Sequence, residues 1–271
     1  MELSEFYRLI GMPPQAVQAL ETVRGETDLT SPQLDGLRDS RTAQETYQQL
    51  KEDDDRDHLK LLLRYLEAAR RTLDTYRERH IPLEVYAATM GCFSRFLAED
   101  QAAFGRLCFP RGWWTWRQTS MRLFRIGALE YELRTREERP VIDLHIPSDA
   151  DLSPASVDRS LEQAEDFFRS YFPAYPLEQH TCCSWLLSPR LETLLPQNSN
   201  IRSFQRRFRI LEEQPEDREY IQWLFQVPAD TPYHRLPEGT SLQRRVKALL
   251  LEGGAIGCAL GILKDSHHQN G

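Results

Sequence analysis

The chain has 271 residues, of which 40% are hydrophobic and 10% aromatic, a composition typical of folded proteins. Its formal net charge of −7 argues against a nucleic-acid partner, which requires a basic surface. The five cysteines have no zinc-binding or disulfide-framework spacing, and the sequence contains neither a basic, apolar leader nor a bilayer-long apolar run. We therefore predict a cytoplasmic protein with no metal and no membrane partner, and leave its oligomeric state open.

Residues 1–109 are predicted to form an all-helical domain. Apolar residues at three- and four-residue spacing, interrupted at Pro82, predict helices at residues 3–10, 14–23, 42–51, 59–73 and 83–97. The acidic run at 52–57 is either a charged patch, for example a cation site, or more simply a solvated helix start, where carboxylates suit the helix dipole.

Residues 110–265 are predicted to form a second domain with a mixed α/β order, and residues 266–271 a frayed tail. Strands are expected at 123–133, 141–146, 181–187, 209–212 and 220–227, and helices at 153–172, 190–207 and 241–251. Gly127 is a candidate bulge, and Ser153 is the expected N-cap of its helix, with Pro154 at the first helical position. The fold class is therefore α+β with two domains.

A polar turn between the first two predicted strands indicates an antiparallel hairpin. With Leu133 and Pro140 flanking the turn, Glu130 would lie opposite Asp143, and His145 would lie two residues further along the same face. A carboxylate or a histidine with a suitable pKa can act as a general base. The alternative is a polar face that is solvated or paired with neighbouring arginines.

Vicinal Cys182 and Cys183 lie on the next predicted strand, so one must face each side of the sheet. A cysteine nucleophile with His145 as its base is conceivable. The alternative is that both are small apolar residues of a buried strand, the usual role of a free cysteine.

Three segments, residues 117–133, 142–154 and 183–208, resemble the acyl-CoA-dependent acyltransferases of the GNAT superfamily. In the last of them, Asn200 stands where that superfamily has an asparagine that starts a helix, and Phe208 stands at the phenylalanine of its closing Gly-Phe. Nearly the whole chain resembles a bacterial family that joins an all-helical N-terminal domain to a GNAT-like C-terminal domain.

The resemblance implies direct transfer of an acyl group from acyl-CoA to a small-molecule amine acceptor. It gives His145, Glu130 and Asp143 as candidate catalytic residues, with His145 or Glu130 as the base. The residues that it implies for coenzyme binding are Ile146, Ser153, Asn200, Arg202 and Arg206.

The superfamily holds the coenzyme pyrophosphate with a Q/R-x-x-G-x-G/A loop after the central strand. The matching loop here, residues 147–153, has no glycine, begins with Pro147, and carries Asp149 and Asp151. The alternative function is therefore a catalytically inactive GNAT-like module that binds a ligand or a partner.

Overall fold

The structure, a computed structural model, describes residues 1–52, 55–175 and 180–264. The chain divides into two compact units, Met1–Arg125 and Ile126–Gly271. The first unit contains the helices α1 (Leu3–Leu9), α2 (Pro14–Arg24), α3 (Ser31–Arg38), α4 (Ala43–Leu50), α5 (Leu59–Glu78), α6 (Leu83–Met90), α7 (Cys92–Phe104) and α8 (Gly112–Thr119). The division falls within strand β1 (Leu123–Ile126).

The second unit carries the other strands and helices. They are β2 (Leu129–Arg136), β3 (Arg139–His145), α9 (Pro154–Tyr171), β4 (His180–Ser184), α10 (Pro189–Glu192), α11 (Asn200–Gln205), β5 (Phe208–Gln214), α12 (Tyr220–Phe225), α13 (Ser241–Leu251) and β6 (Cys258–Leu263). An α+β architecture of helices followed by a mixed sheet is confirmed. The tail at 266–271 lies outside the described residues.

The long helix α5 is the centre of the first unit. Asp55 starts it by accepting hydrogen bonds from the backbone N–H groups of Leu59 and Leu61, each at 2.9 Å. This carboxylate, in the described part of the acidic run, therefore serves as a helix start. The predicted helix at 83–97 is instead two helices, α6 and α7, which meet at Gly91.

The sheet has six strands in the order β1-β2-β3-β4-β6-β5. Its single parallel pair in the described residues is β3 with β4, whereas β2–β3, β4–β6 and β5–β6 are antiparallel. Helix α9 packs on one face, where Tyr131 contacts Ser160 at 3.0 Å and the ring of Phe168 at 5.9 Å between centroids. The apolar stripe of α9 therefore buries against the alternate residues of β2 that point away from the polar side.

The single strand predicted at 123–133 was wrong. Gly127, with φ +61°, begins a tight turn between β1 and β2 rather than a bulge within one strand. A Cβ at this glycine would lie 3.0 Å from Cβ of Ser160, and the Ser160 hydroxyl accepts a hydrogen bond from the N–H of Leu129. The turn therefore needs glycine both for its dihedral angle and for its close approach to α9.

Two further strand predictions fail in the C-terminal part. The segment predicted as a strand at 220–227 forms helix α12, whose Tyr220, Ile221 and Phe225 pack in a core cluster with Val246 of α13. Its apolar residues are spaced for a helix face as well as for a strand, and burial against α13 selects the helix. The last strand, β6, was not predicted, and the predicted helix at 190–207 is two short helices, α10 and α11.

Candidate functional site

Strands β3 and β4 separate soon after they pair. Their pairing consists of Ile142 with His180 and Asp143 with Thr181, although β3 continues to His145 and β4 to Ser184. Over these last residues β3 remains paired with β2 on its other side, and β4 remains paired with β6. The edges that face each other, residues 144–145 and 182–184, therefore bound an opening with backbone groups available for a ligand. We call it the strand opening.

His145 is the last residue of β3, at the strand opening. Its Nε2 lies 2.9 Å from Oε2 of Glu132 on β2, and the carboxylate side chain is only 4% exposed while the imidazole is 22% exposed. An N–H at Nε2 that donates to this carboxylate leaves the lone pair on Nδ1. The pair can therefore present a basic nitrogen.

The carboxylate of Asp143 is enclosed by hydrogen bonds. Arg134 donates to its Oδ2 at 3.0 Å, and Arg136 donates to Oδ1 at 3.1 Å and to Oδ2 at 2.8 Å. The hydroxyl of Thr181 on β4 also donates to Oδ1. Asp143 thus joins β2, β3 and β4 at the level where β3 and β4 part.

The predicted hairpin register was wrong by two residues, although the predicted shared face was right. Glu130 pairs with His145, and Glu132 pairs with Asp143, so these four side chains occupy one face of β2 and β3. With Thr181 and Cys183 on β4, they form what we call the polar face of the sheet. Glu130 is 3% exposed. Sequence reasoning missed Glu132, although the two-residue period of a strand places it beside Glu130.

The turn itself explains the wrong register. Glu137 and Glu138 occupy it with φ of +48° and +63°, the conformation of a two-residue type I′ hairpin. That turn is usually signalled by Asn-Gly or Asp-Gly, and two glutamates give no such signal. The strands therefore extend further than predicted, to Arg136 and from Arg139.

Asp151 occupies the start of α9. Its carboxylate accepts hydrogen bonds from the backbone N–H and from the hydroxyl of Ser153, both at 2.9 Å, and these lower the pKa of the Asp151 carboxyl. Ser153 is the N-cap residue by position, as predicted, but its side chain makes no capping hydrogen bond. The expected side-chain cap was therefore wrong, because the hydroxyl turns back to Asp151.

The other predicted coenzyme residues lie in different surroundings. Ile146 packs against the α12–α13 core cluster, and Asn200 is the first residue of α11. Arg202 forms an ion pair with Glu192 at 2.6 Å, while Arg206 is exposed and its carbonyl accepts a hydrogen bond from Lys264.

Arg207 reaches the first turn of α9. Its guanidinium forms an ion pair with Asp158 and donates to the carbonyl of Pro154 at 3.3 Å. Among Arg202, Arg206 and Arg207, it is the one with printed contacts to this helix start in the described structure, which places a positive charge beside the positive end of the helix dipole.

The two adjacent cysteines of β4 face opposite sides, as the strand period predicts: Cys182 is buried and Cys183 is exposed. Burial raises the pKa of the Cys182 thiol. Within residues 1–52, 55–175 and 180–264, no group of three or more histidine, cysteine or acidic side chains is arranged to hold a metal ion. In the same ranges no helix is long and apolar enough to cross a membrane.

Comparison with known families decides the identity of the fold. Residues 123–263 match the family described as GNAT-like C-terminal domain, and residues 1–121 match the N-acyltransferase N-terminal domain. The chain belongs to the GNAT-like family. The resemblance found in the sequence is thereby confirmed for both parts of the chain.

Solved structures agree with this GNAT-like assignment. A mutant acyltransferase in complex with octanoyl-CoA shares 24% identity with a TM-score of 0.77, over 96% of this chain and 87% of that chain. An acyltransferase in complex with decanoyl-CoA and teicoplanin shares 20% identity with a TM-score of 0.72, over 97% and 99%. These likenesses establish the fold. No curated protein matches the chain significantly.

Proposed function

We propose that this GNAT-like protein transfers an acyl group from acyl-CoA to the amine of a small-molecule acceptor. The observation that carries the proposal is the strand opening, with His145 at the end of one of its edges. An extended chain that contains amides can hydrogen-bond to exposed strand edges, and the pantetheine arm of coenzyme A is such a chain. Structural neighbours crystallised with decanoyl-CoA and octanoyl-CoA support acyl-CoA as the donor.

His145 is the base in this proposal. With Nε2–H held by Glu132, Nδ1 accepts a proton from the acceptor ammonium, and the free amine attacks the thioester carbonyl. The tetrahedral intermediate then expels the coenzyme A thiolate, which takes up a proton, and an amide is formed. Glu132 positions the imidazole and stabilises its protonated form.

Glu130 and Asp143 are the other predicted catalytic residues. Glu130 lies directly opposite His145 and remains an alternative base. Asp143 already accepts hydrogen bonds from two arginines and Thr181, so we assign it to holding the strands at the start of the opening rather than to proton transfer. Histidine is favoured over Glu130 because its imidazole is more accessible.

The coenzyme phosphates need a site different from the superfamily loop. Residues 147–153 offer no glycine, and Asp151 is already bound at the start of α9. Two like charges about 4 Å apart repel by roughly 4 kcal/mol at an effective dielectric near 20. We propose that Arg207, beside the α9 N-terminus, offsets this repulsion, with Arg206 as the nearby exposed cation.

Thermal unfolding with acetyl-, octanoyl- and decanoyl-CoA tests the proposal. A ligand present at 100 times its Kd stabilises the native state by about 2.7 kcal/mol, so at least one thioester should raise the melting temperature. Arg207→Ala should reduce the rise, whereas Arg209→Ala, at an exposed site on β5, should leave it unchanged. No shift with any thioester at millimolar concentration would exclude acyl-CoA transfer and favour a non-catalytic module.

A further inference from the structure

A second pair of reactive side chains lies on the polar face of the sheet. Cys183 is the fourth of five residues in β4, and Cys258 is the first residue of β6. The antiparallel register puts Cys183 opposite Leu260, so Cys258 is its diagonal neighbour, and the two sulfur atoms are 3.4 Å apart. Cys182, the adjacent residue, points to the opposite, buried face.

The two thiols differ in accessibility and in acidity. Cys183 is exposed, while Cys258 is 8% exposed. A hydrogen bond from the Cys258 thiol lowers the pKa of Cys183 and raises the pKa of Cys258. An accessible sulfur with more thiolate character beside a shielded second thiol is the arrangement of an attacking and a resolving cysteine.

We propose that Cys183 and Cys258 form an oxidation-sensitive pair that closes to a disulfide when the protein meets a peroxide. The Cys183 thiolate attacks one oxygen of hydrogen peroxide, the O–O bond breaks, and a sulfenic acid and a water molecule result. The Cys258 thiol then attacks the sulfenyl sulfur, the S–O bond breaks, and a second water leaves. In sum, two thiols and one peroxide yield one disulfide and two waters.

The approach that the disulfide requires is short. A disulfide bond is about 2.05 Å long, so the sulfur atoms must come closer by roughly 1.4 Å. Cys258 begins its strand after Gly257, which has φ +73°, so it lies at a strand end where the ladder constrains the backbone on one side only. Cys183 is followed by Ser184, the last residue of β4.

Intact-mass and peptide analysis of the full chain tests the pair directly. Folded protein is treated with hydrogen peroxide and quenched with N-ethylmaleimide. We expect loss of two alkylatable thiols and a cross-linked peptide that joins the segments containing Cys183 and Cys258. Cys182→Ala should keep this cross-link, and Cys183→Ser should abolish it. Alkylation of Cys183 to the same extent before and after peroxide would overturn the proposal.

Cys258→Ser separates the two steps. Without the resolving thiol, Cys183 should stop at the sulfenic acid, which dimedone traps as a stable adduct. Because Cys183→Ser alters an exposed side chain, it provides a folded control if the Cys258 variant is unstable. A disulfide that instead joins Cys183 to another cysteine, or oxidation to sulfinic acid with no cross-link in the wild type, would contradict the pairing. None of these readouts depends on the proposed acyl transfer.

Discussion

Glu132 and His145 lie diagonally across β2 and β3, and their Oε2 and Nε2 atoms are 2.9 Å apart. A buried carboxylate in this position fixes the ring orientation and the tautomer of the histidine. This relationship makes the proposed base a two-residue unit, and it leads to the first prediction.

Glu132→Gln should lower kcat by roughly 10- to 100-fold with little change in KM for acyl-CoA. A hydrogen bond to a charged group contributes about 1.5–3 kcal/mol, and 1.4 kcal/mol corresponds to tenfold in rate. His145→Ala should lower kcat further, by about 10²- to 10⁴-fold. Steady-state kinetics checks both, with Glu162→Gln on the exposed side of α9 as the matched control. Unchanged turnover in His145→Ala would remove this residue from the mechanism.

Asp143→Asn should lower the free energy of unfolding by about 1–3 kcal/mol, because Arg134 and Arg136 lose a charged, buried acceptor. Asp166→Asn is the matched control, since Asp166 pairs with Arg169 at the surface and such pairs contribute little. Urea unfolding measures the two variants. Equal, small losses would show that the Asp143 contacts do not hold the strands together.

The pKa of Asp100 gives a prediction for the dependence of stability on pH. Burial raises this pKa from its ordinary value to about 6, against the opposing effect of Arg111, whose Nε lies 3.1 Å from Oδ1. Between about pH 4 and 6 the folded state therefore binds more protons at this site than the unfolded state. The resulting stability is present below about pH 4 and is lost as the pH rises through 6.

The stability of the wild type relative to Asp100→Asn should therefore fall by about 1–3 kcal/mol as the pH rises from 4 to 7. Chemical unfolding of the two proteins at each pH gives this difference and cancels groups that titrate in both. A difference that stays constant, or that grows with pH, would contradict the raised pKa.

Gly257→Ala should destabilise the protein more than Gly253→Ala. Both glycines have positive φ, +73° and +83°, and alanine there costs about 1–2 kcal/mol. At Gly257 the added Cβ would also lie 2.6 Å from the carbonyl oxygen of Gln214 and 2.7 Å from Cα of Pro215, whereas at Gly253 nothing lies within 4 Å. Denaturant unfolding should separate the two, and equal losses would mean that the backbone at Gly257 yields.

The sequence predicted the architecture better than the pairing. The α9 helix and α13 at Ser241–Leu251 carry clear helical periodicity and, for α13, a capping box at Thr240, so they were found close to their ends. The polar face was also predicted, because strand alternation assigns faces without knowledge of register. Glu132 was missed because the register depends on the turn at Glu137 and Glu138, which carries no glycine or asparagine.

Long-range contacts explain the remaining errors. Whether residues 220–227 form a strand or a helix is decided by burial of α12 against α13. The strand opening likewise depends on how β3 and β4 part, which involves residues distant in sequence. The cofactor residues predicted by resemblance alone, such as Ser153 and Arg202, therefore need to be tested one by one.

Hydrogen exchange with and without decanoyl-CoA tests the central claim most directly, because it reports both binding and its location. If acyl-CoA lies in the strand opening, amides at residues 144–146 and 182–184 should exchange more slowly with the thioester present. The edge of β5 at residues 208–214, on the far side of the sheet order, should be unaffected. Protection confined to other parts of the chain, or none at saturating thioester, would contradict the account.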